Sequence, residues 1–201
     1  EVWVLSGGEL AAVTEDATSE RNLDLNDDVA LLGTMQAPNI EKIIDEDIDF
    51  VILSSNVAEH VKLKETLELA GITCAYFDVE SFDDYLSMLK ICTDITGDKE
   101  SYTNNGEKVK AEIEAAIARK PEGAAPTVLF LRAFSTGIKA KGSDSMTGIM
   151  LKDMGCINIA DNNESLLEDL SMEKIIEEDP DYIFVVTMGS SEEKAFEMIE
   201  K

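Results

Sequence analysis

The chain predicts an α/β protein of two similar lobes with mainly parallel strands. Three observations carry that expectation. Residues 41–53 read Glu41-Lys-Ile-Ile-Asp-Glu-Asp-Ile-Asp-Phe-Val-Ile-Leu53, and residues 173–185 read Glu173-Lys-Ile-Ile-Glu-Glu-Asp-Pro-Asp-Tyr-Ile-Phe-Val185; seven of the thirteen positions are identical. The two copies start at 41 and 173, 132 residues apart, which is too far for a solenoid period and fits one copy per lobe. Between and around them, helical and strand patterns alternate. Two similar lobes with a cleft between them make a natural ligand clamp.

The opening Glu1-Val-Trp-Val-Leu5 reads as the inside of an element, and the chain stops within a helical pattern, Glu192–Lys201. A longer parent protein is expected, with any targeting segment preceding Glu1. Phe50–Leu53 is a short apolar strand followed by Ser54-Ser55-Asn56. A helical pattern over Val57–Ala70 closes at Gly71, a C-terminal signal. Cys74–Phe77 is the next strand, and Ser81 with Asp84 three residues on has the form of a capping box. Phe82, Tyr85, Leu86 and Leu89 give that helix its apolar stripe. These units make an N-terminal lobe over residues 1–96.

Residues 97–120 carry Val109, Ile113 and Ile117 at four-residue spacing on a charged background, as a connecting helix would. Asn104-Asn105-Gly106 interrupts it, and the pattern leaves open whether the helix runs through. Pro121–Pro126 reads as a linker into a C-terminal lobe over 121–201. That lobe opens with a strand, Thr127–Leu131, followed by a long polar, glycine-bearing stretch, Arg132 to Ser145. Met146–Met154 reads as a helix ending at Gly155, Ser171 caps the second repeat helix, and Tyr182–Thr187 is its buried strand. Met188-Gly189-Ser190-Ser191 then follows as Ser54-Ser55-Asn56 follows the first copy. Loops at the carboxyl ends of parallel strands are where open α/β sheets bind ligands.

Composition narrows the partners. The 201 residues carry 42 acidic and 17 basic side chains, a net charge of −25, while 44% apolar content supports a true core. That charge excludes nucleic acid and argues against direct docking on an anionic lipid surface. It suits a secreted or cell-surface protein that acidic residues keep in solution. No run of about 18 apolar residues crosses a membrane as a helix. Three widely spaced cysteines, Cys74, Cys92 and Cys156, form no disulfide framework or zinc pattern, and the first two read as small core residues.

In both repeat copies a capping residue, Asn39 or Ser171, stands two positions before the glutamate. Glu41 and Glu173 thus fall in first helical turns, where the positive helix end stabilises a carboxylate by about 0.3–1 kcal/mol. They are either ordinary helix-start acids or two exposed anionic knobs, one per lobe, for cationic sites on a two-fold partner.

At this point a resemblance becomes specific. Pro38-Asn39-Ile40-Glu41-Lys42-Ile43-Ile44 with Asp49-Phe50-Val51-Ile52 resembles the first-lobe signature of periplasmic substrate-binding proteins that serve ABC importers of ferric siderophores, haem and cobalamin. Leu170-Ser171-Met172-Glu173 with Asp179-Pro180-Asp181-Tyr182-Ile183 resembles the second-lobe signature. Gly142-Ser143 through Met154-Gly155-Cys156-Ile157-Asn158-Ile159 is similar to the family's glycine-to-asparagine stretch. The likeness runs from Gly7-Gly8-Glu9 to Ser190, and the ordered set, more than any one motif, is specific.

The resemblance implies two Rossmann-like lobes with parallel sheets, a long α-helix joining them, a ligand cleft between them and hinge motion of a few degrees. It implies docking of Glu41 and Glu173 onto arginines of an ABC permease dimer with its ATPase. It implies an extracytoplasmic protein, a cell-surface lipoprotein or periplasmic, that acts as a monomer. The family's first strand would precede Glu1, and its closing segment would follow Lys201.

The ligand is less legible. The single histidine, His60, lies in a helical pattern and reads as a structural residue, since metal sites need clusters; no intrinsic metal or cofactor is expected. Haem would want an axial histidine or tyrosine. Tyr76 and Tyr182 fall in strands that read as buried, leaving Tyr85 and Tyr102 as axial candidates. Arg132, Lys139 and Lys141 form a basic island in the long stretch after the first strand of the second lobe. Arginine pairs bidentately with carboxylate oxygens and lysine adds a point charge, so the island suits an anionic ferric chelate, or else is a solvated loop balancing local acids. In the first lobe Trp3, Gly8, Glu9 and Thr14 to Asp16 lie near the family's ligand-facing turn; Trp3 either stacks on a planar ligand or belongs to the core. Ser54, Ser55, Ser135, Thr136, Ser143 and Met188 are rim candidates by topology. The leading expectation is a binding protein delivering a ferric siderophore, with haem or cobalamin as alternatives in the same family and a ligand-binding sensor module beside them. Catalysis is not expected: there is no dinucleotide fingerprint, Walker loop or Gly-x-Ser-x-Gly elbow.

Overall fold

The computed structural model describes residues 1–19, 21, 23–119, 123, 125–134, 137–168 and 170–187. The chain divides into two compact units, Glu1–Val109 and Lys110–Lys201.

The first unit begins with α1 (Val2–Leu5), which ends at the buried Ser6. The Ser6 hydroxyl donates to the Trp3 carbonyl at 2.6 Å, and the Thr96 hydroxyl donates to the Ser6 carbonyl at 2.6 Å, fastening this helix to a later one. Strand β1 (Ala12–Val13), helix α2 (Asp16–Ser19) and strand β2 (Ala30–Leu31) follow, with β1 and β2 parallel. Strands β3 (Gly33–Thr34) and β4 (Ala37–Pro38) form a small antiparallel hairpin. The first repeat copy then folds as α3 (Ile40–Asp45) and β5 (Phe50–Ser54). Helix α4 (Ala58–Leu69) crosses over to β6 (Thr73–Phe77), which pairs in parallel with β5. This βαβ unit follows from two apolar strand runs flanking a helix that buries His60 and Leu67. Gly71, at φ 81°, reverses the chain after α4 where a side chain would be strained. Leu32, Ile43, Leu53, Leu67 and Ile72 form the buried core of this unit.

Helix α5 (Phe82–Thr96) starts with the capping box the sequence predicts: Ser81 accepts from the Asp84 N–H, and the Asp84 carboxylate accepts from Ser81 in return. The Ser81 hydroxyl bond, foremost, holds the Asp84 carboxyl below its usual range. Cys92 is buried in α5, as the sequence suggests; Cys74 is half-buried on β6 beside the core. After Gly97 come α6 (Lys99–Tyr102), a π-helical turn over Thr103–Glu107 and α7 (Lys108–Ile117). The helix does run through Asn104-Asn105-Gly106, but wider than an α-helix. A π-turn leaves a carbonyl without its usual partner; here the Tyr85 hydroxyl donates to the Asn105 carbonyl at 2.8 Å, and the Asn105 side chain donates to the Leu5 carbonyl at 2.9 Å. Gly106 is buried and closely packed: a Cβ there would come within 3.3 Å of Leu86 and Leu89.

The second unit is built around β7 (Thr127–Phe134). This strand extends past the expected Leu131, and the stretch after it is not a long loop. It pairs antiparallel with β8 (Gly137–Ala140), so Arg132 and Lys139 sit on a ladder. The physical reason is a period-2 alternation across 129–134 and 137–140 that places Leu129, Leu131, Ile138 and Ala140 on one apolar face. Helix α8 (Met146–Asp153), strand β9 (Ile157–Asn158), a 3-10 turn (Ile159–Asn162) and helix α9 (Glu164–Glu168) follow. The second repeat copy folds as α10 (Met172–Glu178) and β10 (Tyr182–Thr187). Strands β10 and β9 are both parallel to β7, giving the order β10-β7-β8. One face of β7 packs on Ile159, Ala160, Leu166 and Ile175, the other on Leu151. Tyr182 is not buried as expected: it is 60% exposed, because β10 has β7 on one edge and no second strand among the described residues.

A polar clasp sets the start of this parallel pair. The Asp181 carboxylate accepts from the Thr127 backbone N–H at 2.7 Å and hydroxyl at 2.9 Å, while the Asp181 N–H donates to that hydroxyl oxygen at 3.1 Å. These bonds, the backbone one first, hold the Asp181 carboxyl below its ordinary value of 3.8. The folded chain therefore binds fewer protons here than the unfolded one. The clasp adds stability above the ordinary aspartate range and loses it as pH falls through the lowered folded value. Replacing Thr127 by valine should raise the Asp181 carboxyl part-way to 3.8 in an NMR titration and move acid unfolding to higher pH. An unmoved titration would mean that the hydroxyl contributes nothing.

Candidate functional site

The two repeat copies superpose chemically in detail. Asn39 caps α3 by accepting from the Lys42 N–H, and Ser171 caps α10 by accepting from the Lys174 N–H. Ile43 and Ile175 are the buried anchors of the two helices. Asp47 and Asp179 both adopt left-handed backbone, φ 52° and 44°, to turn each helix toward its strand. Glu41 and Glu173 thereby occupy equivalent first turns, both exposed, and neither forms an ion pair among the described residues. Lys174, next to Glu173, is instead held by Glu178 at 2.7 Å and Glu177 at 3.1 Å. Those bonds, Glu178 first, raise the Lys174 ammonium above its usual range.

Arg132 and Lys139 are direct cross-strand partners on β7 and β8. Period-2 alternation puts Arg132 on the face that carries Val128 and Phe130, and its β10 neighbour Val186 packs against that cluster. Like charges directly opposite on a ladder repel. Neither cation forms an ion pair among the described residues, and the Arg132 Nε is buried without a hydrogen-bond partner among them. Lys139 also lines a hollow of about 260 Å³ with Phe134, Ile138, Leu166 and Glu168. Lys141 is half-buried beyond the end of β8; its N–H donates to the Phe130 carbonyl and its carbonyl accepts from the Asn158 side chain at 2.7 Å. Ser143 lies in the turn before α8, and both its N–H and its hydroxyl donate to the Asp161 carboxylate, at 2.7 and 2.5 Å. No local signal in the sequence marks Asp161, a carboxylate 18 residues from Ser143.

In the first unit the Trp3 indole N–H donates to the Glu9 carbonyl at 2.8 Å, and its ring lies 5.7 Å from that of Phe50. A Cβ on Gly8 would fall 2.3 Å from the indole, so this glycine makes room for the ring. Glu9 is exposed and lines a hollow of about 460 Å³ with Gly8, Asp24, Leu25, Asn26 and Asp28. The carboxylates there make it the opposite in charge to the Arg132–Lys139 pair. Ser54 ends β5, and its N–H donates to His60 Nδ1 at 3.2 Å. An Nδ1 that accepts leaves the proton on Nε2, which donates to the Met35 carbonyl at 2.8 Å. His60 is thus a buried structural cross-link between β5, α4 and the β3–β4 turn. The Tyr85 hydroxyl, an axial candidate by sequence, donates to Asn105, and burial raises it above its usual range. Ser135, Thr136 and Met188 lie outside the described residues.

Comparison with known proteins places this geometry. A family model described as periplasmic binding protein matches residues 1–201. A search of curated sequences finds no significant match. Among solved structures, an ABC transporter substrate-binding protein from Listeria monocytogenes is similar at a TM-score of 0.73 and 18% identity, covering 99% of this chain and 76% of that one. The periplasmic haem-binding protein HutB of Vibrio cholerae matches at 0.73 and 23% identity, over 92% and 71%. The siderophore-binding protein FhuD of Vibrio cholerae, solved with ferric Desferal, matches at 0.69 and 17% identity, over 97% and 77%. The family consists of extracytoplasmic binding proteins, not enzymes, that serve ABC importers. With a family model spanning its whole length and the two-lobed α/β fold of these structures, the chain belongs to the periplasmic binding protein family.

Proposed function

We propose that this chain captures an anionic ferric chelate, a siderophore complex, outside the cytoplasm and delivers it to the permease dimer and ATPase of an ABC importer. The observation that carries the ligand class is the Arg132–Lys139 pair. Two cations held opposite each other, in a chain of net charge −25, repel until an anion lies between or above them. The Arg132 Nε, without a hydrogen-bond partner among the described residues, is a donor suited to an anionic acceptor. Lys141 and Ser143 adjoin the pair in sequence, and Trp3, Glu9, Ser54, Ser135 and Met188 complete the proposed contact set. Glu41 and Glu173 are the proposed docking carboxylates, one exposed first-turn acid in each unit. Ferric Desferal in one structurally similar protein and haem in the name of another agree with iron-bearing cargo.

The test is native mass spectrometry with a thermal-shift screen of the mature full-length protein against ferric siderophores, haem, cobalamin and bare divalent metals. A ferric chelate that binds and raises Tm supports the reading. Haem or cobalamin binding instead would keep the import role and replace the ligand. Silence from all of them, with the protein folded, would overturn the iron assignment and favour a sensor that answers another small molecule.

A further inference from the structure

The repeat helices show an apolar feature that core packing does not explain. Ile43 and Ile175 are 1% and 7% exposed and already anchor their helices in the two cores. The next residues, Ile44 and Ile176, are 45% and 73% exposed. One exposed isoleucine is ordinary on a protein surface. Here the same residue type is exposed at the same place in both copies, within a stretch Glu-Lys-Ile-Ile that is identical in both, while Asp45/Glu177 and Ile48/Pro180 differ. Residues three apart on a helix are surface neighbours. Ile44 therefore stands beside Glu41, and Ile176 beside Glu173. Met172, 63% exposed and four residues before Ile176, extends the apolar side of the second patch.

We propose that Ile44 and Ile176 are the apolar halves of a duplicated docking patch that seats on a two-fold membrane permease. The proposal rests on the docking role of Glu41 and Glu173 given above. Each patch is a carboxylate with an isoleucine one turn on, so it fits an apolar socket next to a cation. Two copies of one patch fit a partner with two equivalent surfaces. Charge selects that partner further, because a chain of net charge −25 is repelled by an acidic protein and drawn to a basic one. The isoleucine excludes water from the edge of the ion pair, as the rim of a hot spot does. Carboxylate and isoleucine then act on different quantities. The charge governs encounter and its salt dependence; the apolar contact governs how long the complex lasts.

The experiment compares Ile44→Ser, Ile176→Ser, Glu41→Gln and Glu173→Gln in the mature full-length protein. Binding to the source organism's own permease–ATPase complex in nanodiscs is measured at low and physiological salt. Both isoleucines are exposed, so Tm should stay near that of the parent chain, and the milder Ile44→Val and Ile176→Val changes serve as folded controls. Each serine variant should weaken binding about tenfold, through faster dissociation, as loss of one buried isoleucine predicts, with an unchanged salt slope. Each glutamine variant should weaken binding and flatten the slope. Serine variants that bind like the parent, while the glutamine variants do not, would overturn the apolar patch and leave the carboxylate docking standing. Glutamine variants that bind like the parent, or no binding by the parent chain itself, would overturn the docking reading and this inference with it.

Discussion

Gly148→Ala should cost the second unit about 2 kcal/mol or more of stability. A Cβ at Gly148 would lie 2.2 Å from the Gly142 carbonyl oxygen and 2.8 Å from the Ser143 Cα. Both obstacles are backbone, so no rotamer change clears them. The turn that supplies them is fixed at several points. The Ser145 hydroxyl donates to the Gly142 carbonyl at 2.8 Å and accepts from the Gly148 N–H at 3.3 Å. Asp161 holds Ser143, and Asn158 holds the Lys141 carbonyl. Forced overpacking costs about 1–3 kcal/mol, and immovable neighbours put this site at the upper end. Alanine is favoured over glycine within a helix by about 1 kcal/mol, which offsets part of the loss without reversing it. Urea unfolding followed by circular dichroism reads the result as a lowered midpoint with an unchanged slope. A midpoint equal to that of the parent would mean that the Lys141–Ser145 turn yields to α8.

Arg132→Ala should lower affinity for the bound ferric chelate by about 10- to 100-fold. Hydrogen bonds to charged groups contribute about 1.5–3 kcal/mol each, and every 1.4 kcal/mol or so is a factor of ten. On the proposed reading Arg132 presents a planar fork to the anion, so Arg132→Lys should recover only part of the loss. Lys139→Ala should have a smaller effect, since Lys139 is an exposed point charge on the shorter strand. Folding and binding separate cleanly at this pair. Removing one of two like charges that face each other relieves repulsion, so the alanine variant should hold its Tm while it loses ligand. Titration calorimetry against the chelate that responds in the thermal-shift screen decides the matter, and an unchanged Kd for Arg132→Ala would remove this residue from the ligand site.

Much of the fold was legible because its signals are local. Asn39, Ser81 and Ser171 cap the helices they precede, and Gly71 and Gly155 end helices in left-handed backbone. Those residues act within one turn of chain. The β7–β8 pairing is not legible in the sequence because no Asn-Gly or Asp-Gly pair, the chemistry that announces a tight turn, stands between the two strands. The strands β1 to β4 were missed because two-residue segments carry no period. The exposure of Tyr182 is not legible because an apolar run looks the same in a central strand and in one that, among the described residues, is paired on one edge. For the site, the paired glutamates were visible through their caps, whereas the partnership of Arg132 with Lys139 is a matter of register that spacing along the chain does not reveal.

The Trp3 indole also has a spectroscopic consequence. It is the one tryptophan in the chain, with its N–H bonded to the Glu9 carbonyl and its ring over Gly8 and beside Phe50. Emission excited near the red edge of protein absorption therefore comes from a single site at the Gly7-Gly8-Glu9 turn. A shift in its wavelength or quenching reports on that turn alone, so the native chain is its own fluorescent sensor of events there and needs no dye.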